Sequence, residues 1–356
     1  MDEDSRQMYE MEYPAPAVET NEASGPTLVI SMQGYADAGH AVECVANHLK
    51  AALDNKEVAT FNTDELIDYR SRRPSVQMAS GEITNLEELD LDMRVVRDSA
   101  GKSFLLLSGP EPDLRWEAFS RAVADLADKF NVSETICLYG APMAVPHTRP
   151  LVVSGHSNDR DLLGKLFTID TKWTVPGSAQ MMIERELHKR GRKVAGLTAH
   201  VPHYLAQSPY PPATYQLLQS ISDVVKLEFP LKSLEHDIQR VNQQLTEQTM
   251  GSEEIMHVVT QLEEYYDAEL GKYRNEHPNA MMPGESQVPS GEEIGEAFEN
   301  YLAALDDRDA PRGELPQANQ LFDLGGFDIT NGDQSEGPEE PEDKQKDSDD
   351  LTDDDE

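Results

Sequence analysis

Cysteine is nearly absent: Cys44 and Cys137 are the only two in 356 residues. That is too few for the disulfide framework of a small secreted domain. Each falls on an apolar position of a predicted element, the usual place of a reduced thiol, so the expected compartment is the reducing cytosol. Positive charge is scarce as well, with 30 Lys and Arg against 67 Asp and Glu and a formal net charge of −37. Phosphate backbones and anionic lipid surfaces are bound by clustered cations, so neither nucleic acid nor a membrane is an expected partner. No apolar run approaches the ~20 residues that span a bilayer. Residues 1–5, Met-Asp-Glu-Asp-Ser, place no basic stretch ahead of an apolar one, and no signal peptide is expected. Also missing are the phosphate-loop pattern GxxxxGK[ST], the dinucleotide pattern GxGxxG and the nucleophile elbow GxSxG; no cofactor is expected.

What is present is an alternation of short apolar runs and amphipathic stretches between residues 27 and 230. Strands are predicted at 27–32, 58–61, 94–97, 104–108, 135–139, 151–154 and 194–200. Between them, Phe119, Val123, Leu126 and Phe130 mark one face of a helix. Residues 178–190 form another, closed by Gly191, and a third surrounds 215–224. Strands separated by helices of this length predict a three-layer α/β/α domain with a largely parallel sheet, of unspecified strand order. Residues 1–26, acidic with Pro14 and Pro16, read as a disordered arm. After Pro230, residues 231–275 predict a helical hairpin broken at Met250-Gly251. Residues 276–305 read as a connector and a short amphipathic helix, opened by the capping pair Ser290 and Glu293 and carrying Ile294, Phe298, Leu302 and Leu305. Residues 306–356 hold 19 acidic and 4 basic residues and read as a disordered acidic tail.

Two blocks carry most of the functional signal: Gly140-Ala-Pro-Met-Ala-Val-Pro-His-Thr-Arg-Pro150 and Val201-Pro-His-Tyr-Leu-Ala206. In each, an apolar run ends in proline, which cannot donate to a sheet ladder and so marks a strand end. Strand ends are where α/β folds collect binding groups, so His147, Arg149, His203 and Tyr204 are candidates for a common pocket or interface. Arg149 would bind a carboxylate or other anion with His147 as proton carrier. Alternatively, Arg149 pairs with a carboxylate of its own domain and His147 caps a strand-end carbonyl. Asp37 sits ahead of a helical pattern, where its carboxylate would accept from open backbone N–H groups. Glu111, within Gly109-Pro-Glu-Pro-Asp113, is either a site carboxylate or part of a stiffened loop, with Arg115 opening the next helix. Asp68-Tyr-Arg-Ser-Arg-Arg-Pro74 concentrates positive charge in Arg70, Arg72 and Arg73; it suits a partner's acidic flank, or a solvated loop paired with nearby acids. His200, His203 and His156 could be zinc ligands only if Pro202 broke the alternation that sends residues three apart to opposite faces.

With Gly34-Tyr-Ala-Asp-Ala-Gly39, these motifs resemble, in order, the bacterial branch of the proteasome assembly chaperone family, over about residues 27–305. The resemblance implies a fold like that of the nucleoside phosphorylases, used to bind proteasome subunits. It implies a non-enzymatic assembly factor with a protein partner, and a homo-oligomer is also expected. The alternative is an enzyme or ligand-binding protein holding a nucleoside or other anionic metabolite at the strand ends. Proteasome-docking tails in that family end hydrophobic-Tyr-any residue, whereas this chain ends Asp-Asp-Glu; docking would therefore use another surface.

Overall fold

Runs such as Leu28–Gln33 and Ser103–Pro110 are apolar on both sides, so the strands they form must be covered on both faces. A computed structural model describes residues 8–285 apart from 15, 17, 19–24, 170, 171, 173 and 279, all within one compact unit that spans residues 1–288. The predicted helix at 290–305 and the acidic tail lie outside the described residues. The strands are β1 (Tyr9–Met11), β2 (Leu28–Gln33), β3 (Asn55–Phe61), β4 (Val76–Ala79), β5 (Glu82–Leu86), β6 (Asp92–Arg97), β7 (Ser103–Pro110), β8 (Glu134–Met143), β9 (Val153–Ser157), β10 (Phe167–Thr168) and β11 (Lys193–Pro202). The helices are α1 (Ala41–Ala52), α2 (Thr63–Leu66), α3 (Trp116–Lys129), α4 (Arg160–Leu163), α5 (Ala179–Lys189), α6 (Pro211–Val225), α7 (Lys232–Met250) and α8 (Glu253–Glu276).

Among the described residues, nine strands form one sheet in the order β1-β3-β6-β7-β2-β8-β11-β9-β10. Its centre, β7-β2-β8-β11, is parallel, while β6, β3 and β1 on one side and β9 on the other run antiparallel to their inner neighbours. Alternate residues of each central strand feed two cores. Leu28, Ile30, Leu105, Leu107 and Cys137 meet α3 and α5 on one face. Val29, Phe104, Leu106, Ile136 and Leu138 meet α1, α6 and α7 on the other. Phe119 of α3 is fully buried and lies edge-on to Phe61 of β3 at 5.0 Å. Such a side chain contributes about 1.5–3 kcal/mol by burial alone. The result is the three-layer α/β/α architecture with flanking C-terminal helices.

Two elements differ from the sequence expectation. Residues 1–26 are not all a loose arm: Tyr9–Met11 pair antiparallel with β3, and Met8 is fully buried beside them. Three residues are too few to show a period, which is why the strand escapes a reading of pattern. Strands β4 and β5 form a separate two-stranded ribbon in which every residue is exposed, so no burial pattern announces it.

Candidate functional site

In this sheet β2 is the pivot: the chain builds β3, β6 and β7 on one side of it, then crosses to build β8 to β11 on the other. It lies between β7 and β8, and a ligand crevice is expected beyond its carboxyl end. The segment 34–40 leaves β2 there and folds across the opening. Gly140 donates its N–H to the Ala36 carbonyl at 2.7 Å, and Asp37 bridges to Gly140. A side chain at Gly140 would meet the Ala38 carbonyl at 2.7 Å, so only glycine permits this approach. Asp37 then accepts from the N–H groups of Val42 at 2.7 Å and Glu43 at 3.1 Å, at the head of α1. Burial pushes its carboxyl up to about 6 despite those bonds.

Glu111 follows β7 and is buried. Its Oε1 accepts from Ala179 N–H at 2.7 Å, in the first turn of α5, and its Oε2 accepts from Tyr35 N–H at 3.3 Å. Ser178 completes the helix start by accepting from Met181 N–H. The room for Glu111 comes from Gly34, where an added Cβ would lie 2.3 Å from Glu111 Oε2. What remains between Met32, Glu111, Tyr139 and Gln180 is about 10 Å³, barely one water. The crevice is thus filled by the chain's own loop and carboxylates.

Outside this plug lies an open hollow of about 450 Å³, bordered by Tyr35, Asp37, His40, Glu43, Arg72 and Gln207. Arg72 reaches it while pairing with Asp113 at 3.6 Å. Asp113 also accepts from Asp68 N–H at 2.9 Å, which fixes the base of the arginine loop. Arg70 turns back toward Asp68 and is 87 % exposed; Arg73 is exposed as well. Arg115, in the left-handed region at φ 55°, pairs with Glu65. From the end of this loop the chain enters the ribbon β4–β5. Its cross-strand pairs Val76–Leu86 and Met78–Ile83 present four apolar side chains between 48 % and 70 % exposed.

The second strand-end cluster is built by β8 and β11, which run parallel in register as far as Met143 opposite Pro202. His147 and Tyr204 come together as their positions suggested. The Tyr204 hydroxyl accepts from the His147 backbone N–H at 2.9 Å and lies within hydrogen-bond distance of its ring Nδ1 at 2.8 Å. Burial lowers the His147 pKa, against the opposing charge of Glu263. Burial also raises the Tyr204 hydroxyl. His203 packs edge-on to Tyr204 at 5.3 Å. Arg149 is drawn away to α8: Nε and Nη2 each reach Asp267 at 2.9 Å, and Nη1 reaches Glu263 at 3.0 Å. Tyr266 donates to the Pro150 carbonyl at 2.6 Å. Arg149 thus pairs within the chain, with carboxylates of the hairpin helix and not of the α/β/α domain that carries it. His147 bonds a tyrosine instead of a strand-end carbonyl.

Two histidines play parts that sequence order did not assign. His200 is buried on β11 with Nε2 2.8 Å from Ser154 Oγ, and burial lowers its pKa to about 4. His156 Nε2 lies 2.9 Å from Glu184, whose other oxygen accepts from the Tyr139 hydroxyl at 2.6 Å. The three histidines considered as zinc ligands are thus held separately, and no three metal-ligating side chains converge among the described residues. Glu184 sits on a predicted helix, but its partners lie 28 and 45 residues away, beyond any local pattern.

The PAC2 family matches residues 31–249 of the chain. Comparison with curated proteins returns no match. Among solved structures, a protein of unknown function from Corynebacterium glutamicum is 57 % identical, with TM-score 0.74 over 75 % of this chain and 100 % of its own. A Mycobacterium tuberculosis protein of unknown function is 44 % identical, with TM-score 0.73 over 76 % and 92 %. A proteasome-assembly chaperone homologue from the same organism is 26 % identical, with TM-score 0.60 over 65 % and 99 %. With a match over more than half its length and relatives of this likeness, the chain belongs to the PAC2 family.

Proposed function

We propose that this chain is a non-enzymatic assembly factor of the cytoplasm that binds a protein partner, namely a proteasome subunit. The observation that carries the reading is the exposed apolar ribbon β4–β5 joined directly to the arginine loop. A two-stranded ribbon is marginal alone in water, and its four exposed apolar side chains gain stability when covered. Arg70 and Arg73 beside it suit an acidic rim on the partner. The partner class follows from the proteasome-assembly chaperone homologue of M. tuberculosis. The plugged crevice agrees with a binding role, since Asp37 and Glu111 spend their oxygens on backbone N–H groups. Two free cysteines suit a reducing compartment. Copies of the chain would associate through the helical hairpin, where Met250, Ile255, Met256 and Tyr265 are exposed.

Direct binding of purified proteasome subunits to the full chain tests the proposal. The Arg70→Glu/Arg73→Glu and Met78→Asp/Ile83→Asp variants should each weaken binding by tenfold or more, about 1.4 kcal/mol. Arg72 is left intact because it anchors Asp113. Absence of binding by the unaltered chain, or equal binding by both variants, refutes it. A second reading, a nucleoside or other anionic metabolite at the strand ends, would rest on the 450 Å³ hollow and Arg72. The Asp37 and Glu43 carboxylates on the same border oppose an anion there.

A further inference from the structure

We propose that a cleft on the opposite flank of the sheet binds a phosphomonoester carried on an apolar body. The cleft holds about 670 Å³, enough for a small metabolite and far more than inorganic phosphate needs. Its β9 wall, Gly155 to Ser157, pairs with the first half of β11, at the far end of that strand from His203 and Tyr204. Arg160, Lys165, His156 and His277 line it, and no Asp or Glu does among the described residues. In a chain with 67 acidic and 30 basic residues, a hollow bordered by two fixed cations, two imidazoles and no carboxylate runs against the composition.

The two cations also lack the acidic partner that several arginines of this chain have. Arg72, Arg94, Arg149 and Arg190 each meet a carboxylate. Arg160 and Lys165 are exposed and meet none among the described residues. The nearby acid Asp159 is taken by Lys193 at 2.8 Å. An arginine fork and an ammonium match the several acceptor oxygens of a phosphate, beside a His156 ring that Glu184 holds at 2.9 Å.

The walls are held in place before any ligand arrives. Tyr273 stacks between Phe167 at 4.0 Å and His277 at 4.2 Å, and its hydroxyl accepts from Thr168 N–H at 3.1 Å. The Lys165 carbonyl accepts from Met281 N–H, tying the segment after α8 to the other rim. Gly196 seats the His156 ring, because a Cβ there would lie 2.2 Å from Cε1. Leu163, Leu166 and Ile169 supply the apolar side. Preformed walls lower the ordering cost of binding.

Isothermal titration of the full chain with phenyl phosphate tests the site, with benzyl alcohol as its uncharged counterpart and inorganic phosphate as the bare headgroup. Phenyl phosphate should bind more tightly than either. Arg160→Ala/Lys165→Ala should weaken it about tenfold or more, as loss of charge-assisted bonds requires, while Arg72→Ala at the other hollow leaves it unchanged. Both altered side chains are exposed, so the fold should persist; Lys165→Gln alone gives the same direction of change should the double variant unfold. No binding of phenyl phosphate, binding unaffected by these substitutions, or equal binding of benzyl alcohol overturns the proposal.

Discussion

His200 and Asp37 set opposite responses to acid, and separating them tests the structure closely. His200 is 6 % exposed and titrates near 4 in the folded chain, against an ordinary 6.5. Between those values the unfolded chain takes up a proton that the folded chain refuses. Its contribution to stability is therefore complete above 6.5 and falls as pH drops toward 4. The full shift corresponds to about 3.4 kcal/mol, of which about 2 kcal/mol is lost by pH 5. Asp37 works the other way. Its folded value is near 6 against an ordinary 3.8, so the folded chain binds the proton first and gains stability as pH falls from 6 toward 3.8. That gain is about 1 kcal/mol at pH 5 after discounting for partial exposure. In the unaltered chain the Asp37 gain offsets about half of the His200 loss, leaving a net loss of about 1 kcal/mol at pH 5. His200→Asn should remove the loss, so between pH 7 and pH 5 the variant retains about 2 kcal/mol more stability than the parent. Asp37→Asn, which can still accept an N–H, should instead lose about 1 kcal/mol more than the parent over the same interval. Urea unfolding of the three proteins at pH 7, 6 and 5 reads the differences, and any constant cost of substitution drops out. Three parallel pH profiles would refute both the burial of His200 and the perturbed state of Asp37.

Two further outcomes follow from the packing. Gly34→Ala should cost about 1–3 kcal/mol in urea unfolding, because the new methyl overlaps Glu111 and forces it from the head of α5; a cost below about 0.5 kcal/mol would show that the plug is loose. Arg149→Ala should speed amide exchange in Glu253–Glu276 while leaving α6 unchanged, since the guanidinium joins the strand-end loop to Glu263 and Asp267. Unaltered exchange there would show that Tyr266 and Pro150 suffice.

The central strands β2, β7, β8 and β11 were legible because burial on both faces demands unbroken apolar runs. Direction was not. Nothing in residues 151–154 shows that β9 runs against β11, since an apolar run reads alike either way. Asp37 was legible as a helix-capping residue because its partners lie five and six residues ahead. The partners of Arg149 lie 114 and 118 residues away, and local pattern carries no information about such a pairing. The ribbon β4–β5 was missed for the opposite reason: the periodicity that reveals a strand is a record of burial, and it has none.

The grip of α8 on the strand-end loop has a consequence for how this architecture can vary. The match to the family stops at residue 249, one position before α7 ends, so Glu263, Tyr266 and Asp267 all lie beyond it. The sheet can be completed without them, yet they decide how stiffly residues 147–150 are held. Loop rigidity is thereby delegated to an appended helix and becomes adjustable by edits that leave residues 31–249 untouched.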